Sequence, residues 1–129
     1  MLFRSHTVDF DVTGIDIYIG IGGAPEGVLA AAALRCIGGQ MQGRLILDTP
    51  EKRERATRMG IKDHDRVYSM EDMAKGDVLF AATGVTDGNL LDGVRFGKSI
   101  ITTETLVMRS ATQTVRTIQA EHRHFATFH

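Results

Sequence analysis

Apolar residues alternate with other residues over positions 15–21, where isoleucine stands at every second position. This period of two predicts a β-strand. Glycines at positions 20–23 then let the backbone turn sharply, and Pro25 fits the first turn of a helix. Residues 28–37 are almost wholly apolar, which predicts a helix that is buried nearly all round and ends at Gly38-Gly39. The segment is therefore expected to fold as strand, glycine turn and helix.

The same signs predict further elements downstream. A short apolar run predicts a strand over residues 43–47. A threonine–proline pair at positions 49–50 is typical of a helix start. Ser69 followed by Asp72 is a capping-box pattern, which predicts a third, short helix. Residues 78–82 are continuously apolar, which favours a central strand covered on both faces.

β-Branched residues dominate the last third of the chain. Residues 100–109 and 112–121 predict two antiparallel strands around a short turn. The early β-α-β units imply parallel strands with right-handed crossovers. The sequence thus predicts a layered α/β domain with a mixed sheet of about five strands and an antiparallel C-terminal hairpin. We place the domain at residues 15–122, between a polar lead-in at 1–14 and a tail at 123–129.

Composition excludes several classes of partner. The 129 residues are 43% hydrophobic and 24% charged, which is ordinary for a globular protein. A net charge of −1 gives no reason to expect nucleic acid or an anionic membrane as a partner. No apolar run approaches the roughly 20 residues of a membrane span, and no signal peptide is indicated. Cys36 is the one cysteine, which fits the cytoplasm, and we interpret it as a core residue rather than a nucleophile.

Glu26 stands out within the apolar region. It is the one acidic residue between Ile17 and Asp48, and it falls in the first turn of the predicted helix. A helix N-terminus favours a carboxylate, and its free backbone N–H groups also bind phosphate. A glycine loop, a helix N-terminus and a carboxylate are together compatible with a site for a metal ion and a phosphate. The simpler alternative is a glutamate that only stabilises its own helix.

Three stretches carry a more specific signal: GIGGAPEGVLAAAALRCIGGQMQGRL, YSMEDMAKGDVLFAATGVTDGNLL and TTETLVMRS. They closely resemble the C-terminal part of class II fructose-1,6-bisphosphatases, members of the lithium-sensitive phosphatase superfamily. The resemblance implies a layered α/β fold and a cytoplasmic hydrolase of gluconeogenesis that removes the 1-phosphate of fructose 1,6-bisphosphate. It implies sedoheptulose 1,7-bisphosphate as a further substrate in photosynthetic relatives, and Mn²⁺ or Mg²⁺ as cofactor. By the same resemblance, Glu26 is a metal ligand and Gly23 contacts the sugar phosphate.

One departure from the family pattern affects the expected activity. The family's other metal-binding carboxylates, its catalytic threonine and its basic substrate-binding cluster all precede the GGAPEG motif. Only 25 residues precede Glu26, and none of those motifs is among them. We therefore expect a C-terminal fragment, or one half of a split enzyme, that is inactive alone and forms a homo-oligomer or pairs with a missing N-terminal domain. No catalytic residue is assigned.

Two alternatives belong to other classes. The chain could be a non-catalytic α/β domain that self-associates without turnover. The segment from Asp9 to Thr13, D-x-D-x-T, resembles the nucleophile motif of haloacid-dehalogenase-like phosphatases, in which the first aspartate attacks phosphorus. That motif follows a buried hydrophobic strand, whereas polar residues precede Asp9 here, so a solvated lead-in explains it better.

Other polar residues have both a functional and a simpler interpretation. Thr83, Thr86 and Asp87 follow a predicted buried strand, where α/β proteins place ligand groups, but we favour a turn that uses glycine and aspartate for their backbone freedom. His64 lies in a charged loop, and residues 52–58 form a basic run on a helix that we interpret as a solvated face. The C-terminal histidines are His122, His124 and His129, which we attribute to a frayed polar end.

Overall fold

The computed structural model describes residues 2–6 and 17–123. Its helices are α1 (Ala24–Cys36), α2 (Pro50–Arg58) and α3 (Met70–Met73). Its strands are β1 (Leu2–His6), β2 (Ile17–Ile21), β3 (Gln40–Arg44), β4 (Val67–Ser69), β5 (Leu79–Thr83), β6 (Arg95–Phe96), β7 (Ile101–Arg109) and β8 (Thr114–His122). The described strands form two four-stranded sheets with antiparallel pairing throughout. The α/β class and the C-terminal hairpin are confirmed, whereas the single mixed sheet is not formed.

The first sheet has the strand order β2-β1-β3-β4. Because β1 is antiparallel to both of its neighbours, β2 and β3 run parallel to each other without being adjacent. Helix α1 connects them, which makes a β-α-β unit split by an inserted strand. The prediction of adjacent parallel strands was therefore wrong, because Leu2–His6, part of the predicted lead-in, forms a strand between the two. Strand β3 also ends at Arg44 instead of residue 47, where its pairing with the five-residue β1 ends.

The second sheet is built around β7, which pairs with β5 and β6 along one edge and with β8 along the other. Strand β5 is thus an edge strand, and Leu79 is 75% exposed. The prediction of a central strand covered on both faces was wrong for this reason. Alternate residues of the run, Val78, Phe80 and Ala82, do pack against the core.

Helix α1 contributes to both core clusters. Ala31 packs in the first cluster together with Met41 and Ala74. Cys36 packs in the second, and its thiol lies 3.7 Å from the carbonyl oxygen of Val78. The second cluster also contains Leu91, Leu106 and Met108. Cys36 is fully buried, which confirms its interpretation as a core residue.

The remaining surface of α1 is not covered. Val28 is 44% exposed and Leu29 is 58% exposed, so the expectation of a helix buried nearly all round was wrong. The buried residues of the helix are Gly27, Ala31 and Cys36. At its end the helix follows the prediction: Gly38 adopts a φ of 75°, and the Gly39 N–H donates to the carbonyl of Leu34 at 2.9 Å.

Local caps also agree with the sequence. The side chain of Thr49 accepts a hydrogen bond from the Lys52 N–H at 3.3 Å at the start of α2. Ser69 and Asp72 form a complete capping box at α3, with bonds of 3.1 and 2.9 Å. Within the described residues, no helix has both the length and the apolar character that crossing a membrane requires.

Candidate metal and phosphate site

Helix α1 begins directly after the glycine turn that follows β2. Gly23 is its N-cap, with an extended backbone (φ −67°, ψ 154°) and no side chain to cap the first turn. The Gly27 N–H donates to the Gly23 carbonyl at 3.1 Å, which closes that turn. The backbone N–H groups at the start of a helix have no acceptor within the helix, and Pro25 has no N–H group. Ala24 and Glu26 therefore present the backbone donors of this turn.

The Glu26 side chain folds back onto Gly23, as the contacts of a hypothetical side chain at that position make clear. A Cβ atom built on Gly23 would overlap the Glu26 Oε2 atom and lie 3.0 Å from Cδ. Glycine therefore leaves the space in which the carboxylate sits. The structure brings together the two residues that the sequence singles out for metal and phosphate, and it places Glu26 in the first helical turn as predicted.

The carboxylate of Glu26 is open to a ligand. The residue is exposed, and none of the hydrogen bonds or ion pairs formed among the described residues engages its carboxylate. A carboxylate at this position interacts favourably with the positive end of the helix dipole. The chemistry offered is one anionic oxygen group beside two backbone donors.

A complete metal site needs more than this. Divalent ions such as Mg²⁺ take about six oxygen ligands. Nowhere in residues 2–6 and 17–123 do three His, Cys, Asp or Glu side chains converge. The described residues therefore fit the role of one ligand to a metal ion but do not by themselves hold one.

An open groove of about 400 Å³ runs beside Glu26, between β2 and α1. Its lining is mostly apolar, and the Tyr18 ring lies over Gly20 within it. The other lining residues are Ile21, Gly22, Ala30, Ala33, Leu34 and Met41. The candidate site thus lies at the margin of an uncovered apolar surface.

Polar groups of the loop after β5 form contacts within the loop itself. The Asp87 carboxylate accepts a hydrogen bond from the Gly93 N–H at 2.9 Å and pairs with Arg95 at 3.1 Å. A Cβ atom on Gly93 would lie 2.7 Å from the Thr86 backbone, so the two arms of the loop approach closely. These contacts favour the turn interpretation of Thr86 and Asp87.

Thr83 is also engaged within the fold. Its hydroxyl lies 2.8 Å from the Thr105 hydroxyl on the neighbouring strand. The groove beside Glu26 is lined by none of the three candidate residues of this loop.

Two of the candidate histidines have ordinary partners. The Nε2 atom of His64 lies 2.9 Å from the Thr57 hydroxyl, and that of His122 lies 3.1 Å from the Thr103 hydroxyl. These contacts favour the simpler interpretation of both residues. Asp9, Asp11, His124 and His129 lie outside the described residues.

Part of the basic run on α2 is used to hold the helix start. Lys52 pairs with Asp48 at 2.6 Å, and its hydrogen bond lowers the pKa of that carboxyl. Arg53 donates to the Leu47 carbonyl at 2.8 Å. These contacts agree with a solvated helix face rather than a phosphate patch.

A cavity of about 510 Å³ at the end of α1 was not anticipated from the sequence. It is lined by Arg35 and Glu71, which form an ion pair between α1 and α3, and by Asp77 and Ser110. The signal was present, because Arg35 is the one charged residue within the apolar run 28–37. Its charge is compensated by Glu71, so the cavity presents no unpaired cation from this residue.

A glycine loop with a carboxylate at a helix N-terminus is compatible with phosphate chemistry, and the comparison with known proteins identifies the family. Residues 6–122 match the family described as bacterial fructose-1,6-bisphosphatase, glpX-encoded. The chain belongs to this family.

Three relatives carry the name D-fructose 1,6-bisphosphatase class 2/sedoheptulose 1,7-bisphosphatase. The chain is 48% identical to that of Synechococcus sp. (strain JA-3-3Ab), 45% to that of Synechocystis sp. and 44% to that of Microcystis aeruginosa. Each alignment covers 88% of this chain and 36% of the relative. The chain therefore spans little more than a third of the length of these relatives.

Proposed function

We propose that this chain is the C-terminal part of a metal-dependent phosphatase that hydrolyses the 1-phosphate of fructose 1,6-bisphosphate in gluconeogenesis. Sedoheptulose 1,7-bisphosphate is the second candidate substrate, as in the names of its relatives. The observation that supports the proposal best is the Glu26 carboxylate lying against Gly23 at the N-terminus of α1 in a chain of this family. A cytoplasmic location remains a prediction.

The proposal gives separate roles to the two residues. Glu26 is one oxygen ligand of Mn²⁺ or Mg²⁺, an ion that would activate water and neutralise charge on the phosphoryl oxygens. Gly23 leaves room for the Glu26 carboxylate, because a side chain there would occupy the same space. The absence of a side chain would also let a sugar phosphate approach the backbone closely. The backbone donors of Ala24 and Glu26 supply partial positive charge toward phosphate oxygens.

The chain alone is expected to be inactive. One carboxylate cannot replace the water shell of a divalent ion, and the described residues offer no converging group of three possible ligands. The alternative of a non-catalytic, self-associating domain receives support from a different observation, namely the exposed isoleucines of β2.

The test is a phosphate-release assay with fructose 1,6-bisphosphate and Mn²⁺. The purified chain is assayed alone and after mixing with the part of the Synechococcus relative that this chain does not match. We expect negligible release by the chain alone and release by the mixture that Glu26→Gln abolishes.

Glu51→Gln is the matched control, because Glu51 is also an exposed acid in the first turn of a helix after a proline. Its release should equal that of the unmodified mixture. Turnover by the chain alone that is lost in Glu26→Gln would contradict the fragment hypothesis. Turnover by the mixture that survives Glu26→Gln would contradict the assigned role of Glu26.

A further inference from the structure

The cavity of about 510 Å³ at the end of α1 lies between parts of both sheets. Its walls come from the end of α1, from β3 and α3, and from the turn that joins β7 to β8 at residues 110–113. The volume falls within the range of about 300–1,000 Å³ that is usual for small-molecule sites. The cavity shares only Met41 with the groove beside Glu26, so the two are separate features of the fold.

The turn between β7 and β8 places Gln113 in an unfavourable backbone conformation. Its φ is 48°, and in the described part of the chain it is the one non-glycine residue with a positive φ. The Gln113 N–H closes the turn by donating to the Ser110 carbonyl at 3.2 Å. Glycine adopts this conformation without a steric cost, and asparagine tolerates it better than most residues. A glutamine at such a position suggests a use for its side chain.

The Gln113 side chain lies at the wall of the cavity. Its Nε2 atom would be 3.5 Å from a Cβ atom built on Gly38, which also lines the cavity. None of the hydrogen bonds formed among the described residues engages this amide or the carboxylate of Asp77, another lining residue. The Ser110 hydroxyl accepts a hydrogen bond from the Val78 N–H at 2.7 Å and keeps its own proton to donate. The cavity therefore offers both donors and acceptors.

Arg35 adds further donors without adding net positive charge. Its side chain is 20% exposed, and its buried Nη1 atom pairs with Glu71, whose side chain is 64% exposed. A guanidinium group has five N–H donors, so this pair leaves others available. Against the one cation, the lining contains the carboxylates of Glu71 and Asp77, which gives an excess of one negative charge. This balance disfavours a phosphorylated or other anionic ligand.

We propose that this cavity binds an uncharged polyhydroxylated molecule of monosaccharide size. Each hydroxyl group of such a ligand both donates and accepts a hydrogen bond, which matches the mixed lining. The Arg35 and Gln113 side chains donate to ligand oxygens, and the Asp77 carboxylate accepts from ligand hydroxyls. The side chains of Met41 and Met70 supply apolar surface for the C–H groups of the ring.

The test is a titration of the full chain, labelled with ¹⁵N, with glucose as the probe, followed by NMR. We expect saturable shifts in the backbone amide signals of Gly38, Gly39 and Ser110. A dissociation constant on the order of 1 mM is expected for a ligand of this size. Glucose 6-phosphate should bind about fivefold or more weakly, because its phosphate meets the excess negative charge.

Gln113→Gly separates binding from folding. Glycine removes the amide but adopts the positive φ freely, so the midpoint of urea unfolding should rise while the dissociation constant for glucose increases about fivefold or more. Gln119→Ala is the control, because Gln119 is exposed on β8 and does not line the cavity. Its dissociation constant should stay within about twofold of wild type.

Three results would overturn the inference. The first is the absence of saturable shifts up to about 100 mM glucose, roughly a hundred times the expected constant. The second is unchanged glucose binding by Gln113→Gly, which would show that the amide has no part in the site. The third is tighter binding of glucose 6-phosphate than of glucose, which would make the ligand an anion. The titration involves no catalysis, so each of these results leaves the proposed function unaffected.

Discussion

The packing of α1 on the second sheet can be tested through Cys36, which is the one thiol of the chain and is fully buried. A thiol reagent reaches it only when the cluster around it opens. Burial also raises the pKa of the Cys36 thiol, and this slows its reaction further at neutral pH. We propose Leu106→Ala as the perturbation, because Leu106 is 6% exposed in the same cluster.

The size of the effect follows from cavity formation. A buried Leu→Ala change costs about 2–5 kcal/mol, and 1.36 kcal/mol corresponds to a factor of ten. When opening is fast compared with labelling, the rate follows the opening equilibrium. Leu106→Ala should therefore accelerate labelling of Cys36 by about 30-fold or more. If the cluster opens at about 5 kcal/mol, wild type should react on the order of 10³–10⁴-fold more slowly than free cysteine.

The assay is the absorbance change of an aromatic disulfide reagent under native conditions, repeated in about 6 M guanidinium as the unprotected reference, a concentration above the unfolding midpoints of most small domains. Leu90→Ala is the matched control because Leu90 is 70% exposed, and its labelling rate should stay within about twofold of wild type. Wild-type labelling at the rate of the unfolded reference would refute the packing of α1 described above. Equal acceleration by both variants would refute the assignment of Leu106 to the cluster.

Three further predictions concern the turns and caps. Gly38→Ala places a side chain at a φ of 75° and should lower the free energy of unfolding by about 1 kcal/mol in urea titrations, whereas Gly88→Ala, whose nearest contact is at 3.9 Å, should change it by under about 0.5 kcal/mol. The hydrogen bond from the Ser69 backbone N–H holds the pKa of Asp72 below its ordinary value of 3.8. Asp72 therefore stabilises the fold above pH 3.8 and loses this effect as the pH falls through its folded-state pKa, so the stability difference from Asp72→Asn should shrink under acidic conditions. Gly23→Ala displaces the carboxylate that it faces and should lower phosphate release by the reconstituted mixture about tenfold or more, with Gly88→Ala again as control.

Features set by neighbouring residues were predicted well from the sequence. The threonine cap of α2, the capping box at Ser69 and the glycine end of α1 each depend on hydrogen bonds between residues close in sequence. Glu26 in the first turn of α1 belongs to the same group, because glycine and proline fix where the helix begins. Its contact with Gly23, three residues away, is equally local.

Features set by distant residues were predicted poorly. The insertion of β1 between β2 and β3 depends on pairing across the sheet, which no local period encodes. An apolar run such as that of β5 occurs in edge strands as well as in central ones. The edge position of β5 depends on β7, which pairs with β5 on one side and with β8 on the other. The engagement of Asp87 with Arg95 and of Thr83 with Thr105 likewise became visible only in the folded chain.

At β2 the sequence pattern and the structure agree on the strand but differ on its burial. The isoleucine alternation predicts a strand with one buried face, and the structure contains the strand but leaves that face bare. Helix α1 departs from its prediction in the same direction, since Val28 and Leu29 are exposed although the run was expected to be covered. An apolar period records the burial of a segment in the complete assembly, whereas this chain spans 36% of its relatives. Both departures are therefore consistent with contacts that this part of the family's length lacks, and Ile21, at the end of the isoleucine face, lines the same groove as Glu26, whose ligand set is incomplete within the described residues.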